Sequence, residues 1–181
     1  MPRDWGGEGE HLSFVRHEFS NYLSIDLKLP ANNLFIADTR VKFVAGDIKE
    51  LDFKEGSFDR IILTCVLHHL DEPLLILEKV KKWLKPGGLL SIFLPSDPGI
   101  LNRTVRRFFV VPRARKLGFD DYELFAALQH KNHYWGIRSI LSHVFRDCKT
   151  KKWYFPFGLQ SGNLSLFSIW RIWKPEALNG G

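Results

Sequence analysis

The sequence predicts an α/β fold: a doubly wound, mostly parallel open sheet that closes with an antiparallel hairpin. Two observations carry this. Short apolar runs alternate with amphipathic helical stretches through residues 21–95, the pattern of consecutive βαβ units. Two aromatic runs near the C-terminus are joined by a short glycine-containing link, GLQSG, which predicts a hairpin.

The elements follow in order. HLSFVRHEF (11–19) sets Leu12, Val15 and Phe19 at helical spacing and predicts a short amphipathic helix. NYLSIDL (21–27) reads as a strand stopped by Pro30, and VKFVAGD (41–47) as a strand ending in a turn. SFDRIILTCVL (57–67) is a near-continuous apolar run, as in a strand buried on both faces of a parallel sheet. DEPLLILEKVKKWL (71–84) is an amphipathic helix with acids at its start, lysines at its end and Pro73 in its first turn. LKPGG (84–88) breaks that helix, and LLSIFLP (89–95) is another buried strand. Residues 97–135 read as a mainly helical, basic insertion. IRSILSHVF (137–145) is a helix, and KKWYFPF (151–157) and NLSLFSIWRIW (163–173) are the hairpin strands.

The 181 residues suffice for one domain, 1–181, with a proper core. Apolar content of 45% and charged content of 25% are those of a soluble globular protein. Cys65 and Cys148 make no disulfide framework, which points to reduced thiols and a cytoplasmic location. No apolar stretch reaches the 18 or so residues of a membrane span, and the N-terminus lacks the apolar core of a signal peptide. The net charge of +6 permits an anionic substrate.

Three features fall where a doubly wound sheet binds a nucleoside. In WGGEGEHL (5–12), Gly7 and Gly9 let backbone N–H groups approach a charged ligand at the start of a helix. Asp26 ends the strand NYLSID, 17 residues after Gly9, where a carboxylate can accept two hydrogen bonds from ribose hydroxyls; Leu27 follows it. In GDIKELDF (46–53), Asp47 can bond an adenine amino group while Ile48 lies against the ring. Each is also an ordinary turn feature, and order and spacing are what join them.

The stretch VAGDIKELDFKEGSFDRIILTCVLHHLDEPLLILEKVKKWLKPGGLLSIFLP closely resembles the core of the class I S-adenosylmethionine-dependent methyltransferases, in the type-11 (UbiE-like) branch. The family's GD-x-x-x-L-x-F, FD-x-I, L-H-H-L and L-KPGG segments are all present, in order. The resemblance implies a Rossmann-like sheet, S-adenosylmethionine as cofactor, and methyl transfer to a small-molecule acceptor. It implies ribose binding by Asp26, and contact of the backbone around Thr64 and Cys65 with the cofactor's methionine part. It covers 6–95 well and 137–173 in architecture. The departure is at the start: Trp5 stands where the family has its first motif glycine, and Met1–Asp4 is a poor substitute for the family's first strand. The family strand order, 3-2-1-4-5-7-6, then predicts a chain truncated of its central strand, with two exposed edges.

Two alternatives stand beside this reading. A short-chain NAD(P)-dependent dehydrogenase needs a Tyr-x-x-x-Lys pair, and no tyrosine here has a lysine at that offset; Tyr134 has Arg138. A methyltransferase-like protein that no longer binds cofactor, serving as partner or scaffold, is the second.

Catalytic candidates are histidines. His68 and His69 follow the strand 57–67; being adjacent, they are expected not to point inward together, and the resemblance makes the pair mostly structural. His130 and His133 in QHKNHYW are spaced i, i+3 and would share a helix face in the region that shapes acceptor choice. No third ligand stands out beside them, so no metal site is expected. RTVRRFFVVPRARK (103–116) reads first as a core-facing apolar strip with solvated arginines, and second as an interfacial patch for a lipid-linked or anionic acceptor. A sugar-linked acceptor is equally compatible. Nucleic-acid binding has no support, because the aromatics at 153–173 alternate like sheet core.

Overall fold

β-strands and helices alternate as the sequence predicts, within two compact units, Met1–Asp52 and Phe53–Gly181. The computed structural model describes residues 10–29, 38–158 and 160–177. Gly7 and Gly9, with Trp5, lie outside the described residues, as does Pro30.

In the first unit, β1 (Tyr22–Asp26) and β2 (Val41–Ala45) pair in parallel, Tyr22 opposite Val41 and Asp26 opposite Ala45. The helix expected over 11–19 is a single 3-10 turn, Glu10–Phe14. Its nine residues are too few to repay helix nucleation, and packing takes over instead. Leu12 is buried, while Phe19 leaves the helical path to meet Tyr22 edge-on at 5.9 Å beneath the Arg40 guanidinium at 4.6 Å.

The second unit holds a four-stranded sheet in the order β3-β4-β6-β5, built from β3 (Phe58–Thr64), β4 (Leu84–Pro95), β5 (Lys149–Phe155) and β6 (Phe167–Trp173). β3 and β4 run parallel, β4 and β6 antiparallel, and β5 and β6 form the predicted hairpin. The crossover is α1 (Pro73–Trp83), whose Ile76, Leu77, Val80 and Trp83 are buried. A right-handed helical crossover is what a parallel pair requires.

LKPGG ends α1 but is already strand. Leu84 pairs with Phe58, and the register slips before Arg60 meets Leu89. Leu90, Ile92 and Leu94 are fully buried on one face of β4, while alternate residues are only half-buried. The expectation of burial on both faces is thus met fully on one. The hairpin shows the same alternation: Tyr154, Trp170 and Ile172 are buried, while Trp153 and Phe155 stand about half exposed at 46% and 50%.

After β4 come α2 (Ile100–Val105), a π-helical turn (Arg106–Val110), α3 (Val111–Lys116), α4 (Tyr122–Gln129) and α5 (Tyr134–Val144). The insertion is helical, as predicted. Its apolar strip is not core-facing, however: Phe108 and Phe109 are 66% and 71% exposed, and of the four apolar residues 108–111 only Val111 is buried. Successive residues of a helix point about 100° apart, so four consecutive apolar residues cannot all face inward. No helix among the described residues is long and apolar enough to cross a membrane.

The turn leaving β4 depends on Gly99. A Cβ there would lie 2.0 Å from Gly162 O and 2.6 Å from Ser96 O, so the chain passes against the hairpin link only without a side chain. Gly99 N donates to Ser96 O at 2.7 Å and Leu101 N to Asn163 O at 2.9 Å. That turn holds Asp97 at the end of the strand.

Candidate functional site

In open α/β sheets ligands bind beyond the carboxyl ends of the strands. In the first unit that position belongs to Asp26, the last residue of β1, 7% exposed, whose carbonyl accepts from Gly46 N at 2.8 Å. Leu27 is exposed and Ile48 half-buried. Asp47 is half-buried and builds the turn after β2: its Oδ1 accepts from Lys49 N at 3.0 Å, and its carbonyl from Glu50 N at 2.9 Å. One of its two oxygens is thereby committed to local structure.

In the second unit β3 and β4 end side by side. Thr64 closes β3 and is exposed. Cys65 follows with φ +54, the positive-φ residue among the described non-glycines, while its N–H still reaches Phe93 O at 3.2 Å. A side chain held in that region costs about 1–3 kcal/mol and tends to occur where a site demands it. Burial pushes the Cys65 thiol up to about 11. Cys148 is also pushed up to about 11, by burial and then the Asp147 carboxylate. Both thiols are therefore protonated at neutral pH, and alkylation needs the thiolate. At pH 8 iodoacetamide should label both far more slowly in the native chain than in urea. The native rate should climb about tenfold per pH unit beyond the point, about pH 8.5, where unfolded thiols level off. Peptide mapping by mass spectrometry reads this, and a native Cys65 that reacts like the unfolded one at pH 8 would contradict its burial.

Beyond Thr64 a single 3-10 turn, Leu67–His69, carries His68 and His69. The segment after α4 is stitched onto it. Lys131 N and Asn132 N both donate to His68 O, at 2.8 and 3.1 Å, and Asn132 Nδ2 donates to Leu67 O and Leu70 O at 3.3 and 2.5 Å. Lys131 pairs with Asp71 across the same seam. His130, the residue that ends α4, is thereby brought against the turn. Its ring lies 4.5 Å from that of His68 and 5.2 Å from that of His69, and the His68 and His69 rings are 3.9 Å apart.

Two sequence expectations are corrected here. Adjacent His68 and His69 do face a common point, because a tight 3-10 turn lets neighbouring side chains converge where a strand would alternate them. His130 and His133 do not share a helix: one ends α4 and the other precedes α5, exposed. The three imidazoles that do meet are His68, His69 and His130, one ring nitrogen from each lying within 4.8 Å of the others.

Asp97, which sequence reasoning passed over, orients this group. His130 Nδ1 is 2.7 Å from Asp97 Oδ2, and Arg106 Nη1 reaches the same oxygen at 3.2 Å. The His130 hydrogen bond, then the Arg106 charge, hold the Asp97 carboxyl below its usual value against its burial. Nδ1 therefore donates to Asp97, which turns Nε2 away from the carboxylate. His69 Nδ1 lies 2.9 Å from Gln129 O, which likewise fixes its proton on Nδ1. Burial, helped by the two neighbouring rings, pushes His68 down to about 3, so it is neutral. Asp97 was findable: it lies just past a strand end as Asp47 does, in SDPG.

Residues 6–92 match the family model described as "Methyltransferase domain". Among curated proteins the chain is similar to the demethylmenaquinone methyltransferase of Geobacillus kaustophilus, 27% identical over 111 residues, which is 59% of this chain and 47% of that protein. The chain spans about half the length of the curated relatives it matches first. Among solved structures it resembles the plantazolicin methyltransferase BpumL, crystallised with a desmethylPZN analog and S-adenosylhomocysteine. The TM-score is 0.65 at 15% identity, covering 95% of this chain and 75% of that one. The Burkholderia thailandensis 1,6-didemethyltoxoflavin-N1-methyltransferase follows with a TM-score of 0.57 at 17% identity, covering 95% and 69%. These likenesses show a Rossmann-like fold, which the strand order agrees with.

Proposed function

We propose, from the match of residues 6–92 to the methyltransferase family model and from the core motifs between Val44 and Pro95, that this chain is a class I S-adenosylmethionine-dependent methyltransferase of the type-11 branch, transferring a methyl group from S-adenosylmethionine to a small-molecule acceptor. The observation that carries the reading is Asp26: a buried carboxylate ending a parallel strand, the position from which an acceptor-only group meets the two hydroxyls of a ribose. The residues fit the cofactor. Asp47 keeps Oδ2 for an adenine amino group while Oδ1 serves its turn, and Ile48 offers an apolar side chain to the ring. The family resemblance adds Leu27, the backbone at Thr64, Gly7 and Gly9 to the proposed cofactor-binding residues.

When bound, the cofactor supplies both the methyl group and its leaving group, so the protein's task is largely to position the acceptor. We assign acceptor contact to His69 and His130, which stand beyond the carboxyl ends of β3 and β4. His133, exposed and outside the cluster, leaves the catalytic set.

A lipid-linked acceptor is the finer reading we favour. Exposed Phe108 and Ile100 line an open cavity of about 270 Å³ with Arg103 and Arg107, a combination suited to an apolar molecule with an anionic or polar head. Similarity to demethylmenaquinone methyltransferases supports it.

Isothermal titration of the folded chain with S-adenosylhomocysteine tests the main reading. Saturable one-to-one binding is expected. Absence of any heat of binding in protein that is folded by circular dichroism would overturn it.

A further inference from the structure

Three imidazoles converge in the second unit from two distant stretches of chain, and methyl transfer from a sulfonium does not itself demand such a group. Gathering them has a cost. His68 is 92% withdrawn from solvent, and its Nδ1 is buried without a hydrogen-bond partner. Asp97 Oδ1, behind His130, is likewise buried and unpartnered. A buried polar atom without a partner is destabilising, the more so when it is charged.

We propose that His68, His69 and His130 form a binding site for a divalent transition-metal ion of the zinc class. The proposal is independent of cofactor binding.

Three points of chemistry support it. Zinc favours imidazole nitrogen, and three protein ligands with one open position is its usual arrangement where it does more than brace a fold. Ligand nitrogens about 2.0–2.1 Å from a tetrahedral ion stand about 3.4 Å apart. The present spread of up to 4.8 Å closes by modest rotation of the rings. The tautomers are also right. Metal-bound histidines characteristically donate their other N–H to a carboxylate or a backbone carbonyl. His130 does the first to Asp97 at 2.7 Å, and His69 the second to Gln129 O at 2.9 Å. Arg106 holds the same Asp97 oxygen that His130 uses, which fixes the carboxylate behind the ring. The fourth position would take water or an oxygen or nitrogen of a small molecule.

The test uses the whole chain without an affinity tag, stripped with a chelator and titrated with Zn²⁺ and, for its visible spectrum, Co²⁺. One equivalent is expected to bind, with Co²⁺ giving the absorption of a low-coordinate nitrogen site that Zn²⁺ displaces. H69Q and H130Q, each confirmed folded by circular dichroism, should weaken Zn²⁺ binding at least tenfold. D97N should weaken it by about 10–100-fold through loss of the orienting carboxylate. H133Q should leave it unchanged. No stoichiometric binding, H69Q and H130Q that bind as tightly as the parent, or a loss in H133Q equal to theirs would each overturn the proposal. Because the readout is metal affinity, failure here leaves the titration with S-adenosylhomocysteine to be judged separately.

Discussion

Trp170→Ala is expected to lose about 3–5 kcal/mol of folding stability, the usual cost of emptying a large aromatic from a core. Trp170 sits mid-strand in β6 and is 1% exposed, opposite Ile92 of β4 and Lys152 of β5. Its indole N–H donates to Ser168 Oγ at 3.0 Å, which satisfies both groups inside the sheet's covered face. Lys152 Nζ lies 3.8 Å from the ring centroid, and burial lowers the Lys152 pKa from its ordinary value. Alanine would remove the packing, leave the buried Ser168 hydroxyl short of a donor and take away the ring beneath Lys152. Trp153, on the opposite face and 46% exposed, provides the contrast. Its truncation should cost about 1 kcal/mol or less, as surface changes do. Urea denaturation followed by far-UV circular dichroism reads both. Similar midpoints for the two variants would show that the sheet does not bury one face selectively.

Asp26→Ala should weaken S-adenosylhomocysteine binding by roughly 100-fold or more, with the fold retained. Two hydrogen bonds from hydroxyls to a carboxylate are worth about 1.5–3 kcal/mol each, and every 1.4 kcal/mol is a factor of ten. Asn at the same position keeps one acceptor oxygen and should fall between. Asp47→Ala should cost less, because one of its oxygens already serves the turn at Lys49. Calorimetric dissociation constants for the parent and the three variants decide this. Unchanged affinity in Asp26→Ala would remove Asp26 from the ribose while leaving cofactor binding itself standing. A larger loss at Asp47 than at Asp26 would reverse the two assignments.

Much of the fold was legible because its elements are locally encoded. Pro73 and the lysines at 79–82 bracket α1, and the apolar runs of β3 and β4 flank it, so the parallel pair and its crossover follow from periodicity. The hairpin was equally plain from its link. Reading failed where short segments answer to packing. The stretch 11–19 has helical spacing but only one 3-10 turn, and Phe108 and Phe109 look like core yet face solvent across a π turn. The strip 103–116 is locally ambiguous, since the same residues suit a buried face or an exposed one until neighbouring helices decide.

The candidate site divides in the same way. Asp26 and Asp47 are strand-end residues within one local pattern, and the sequence by itself determined where they stand. The family resemblance, too, is written in the contiguous core from Val44 to Pro95. The histidine cluster is different. His68 and His69 are separated from His130 by about sixty residues, and nothing in either stretch specifies the other. Only tertiary structure decided that they meet, through Asn132 clamped on the carbonyls of Leu67 and Leu70 and through Asp97 set by the turn at Gly99. The physical reason is that strands and helices are fixed by nearest neighbours along the chain. Convergence of distant side chains is fixed by hydrogen bonds and packing that exist only once the sheet has brought the ends of β3 and β4 together.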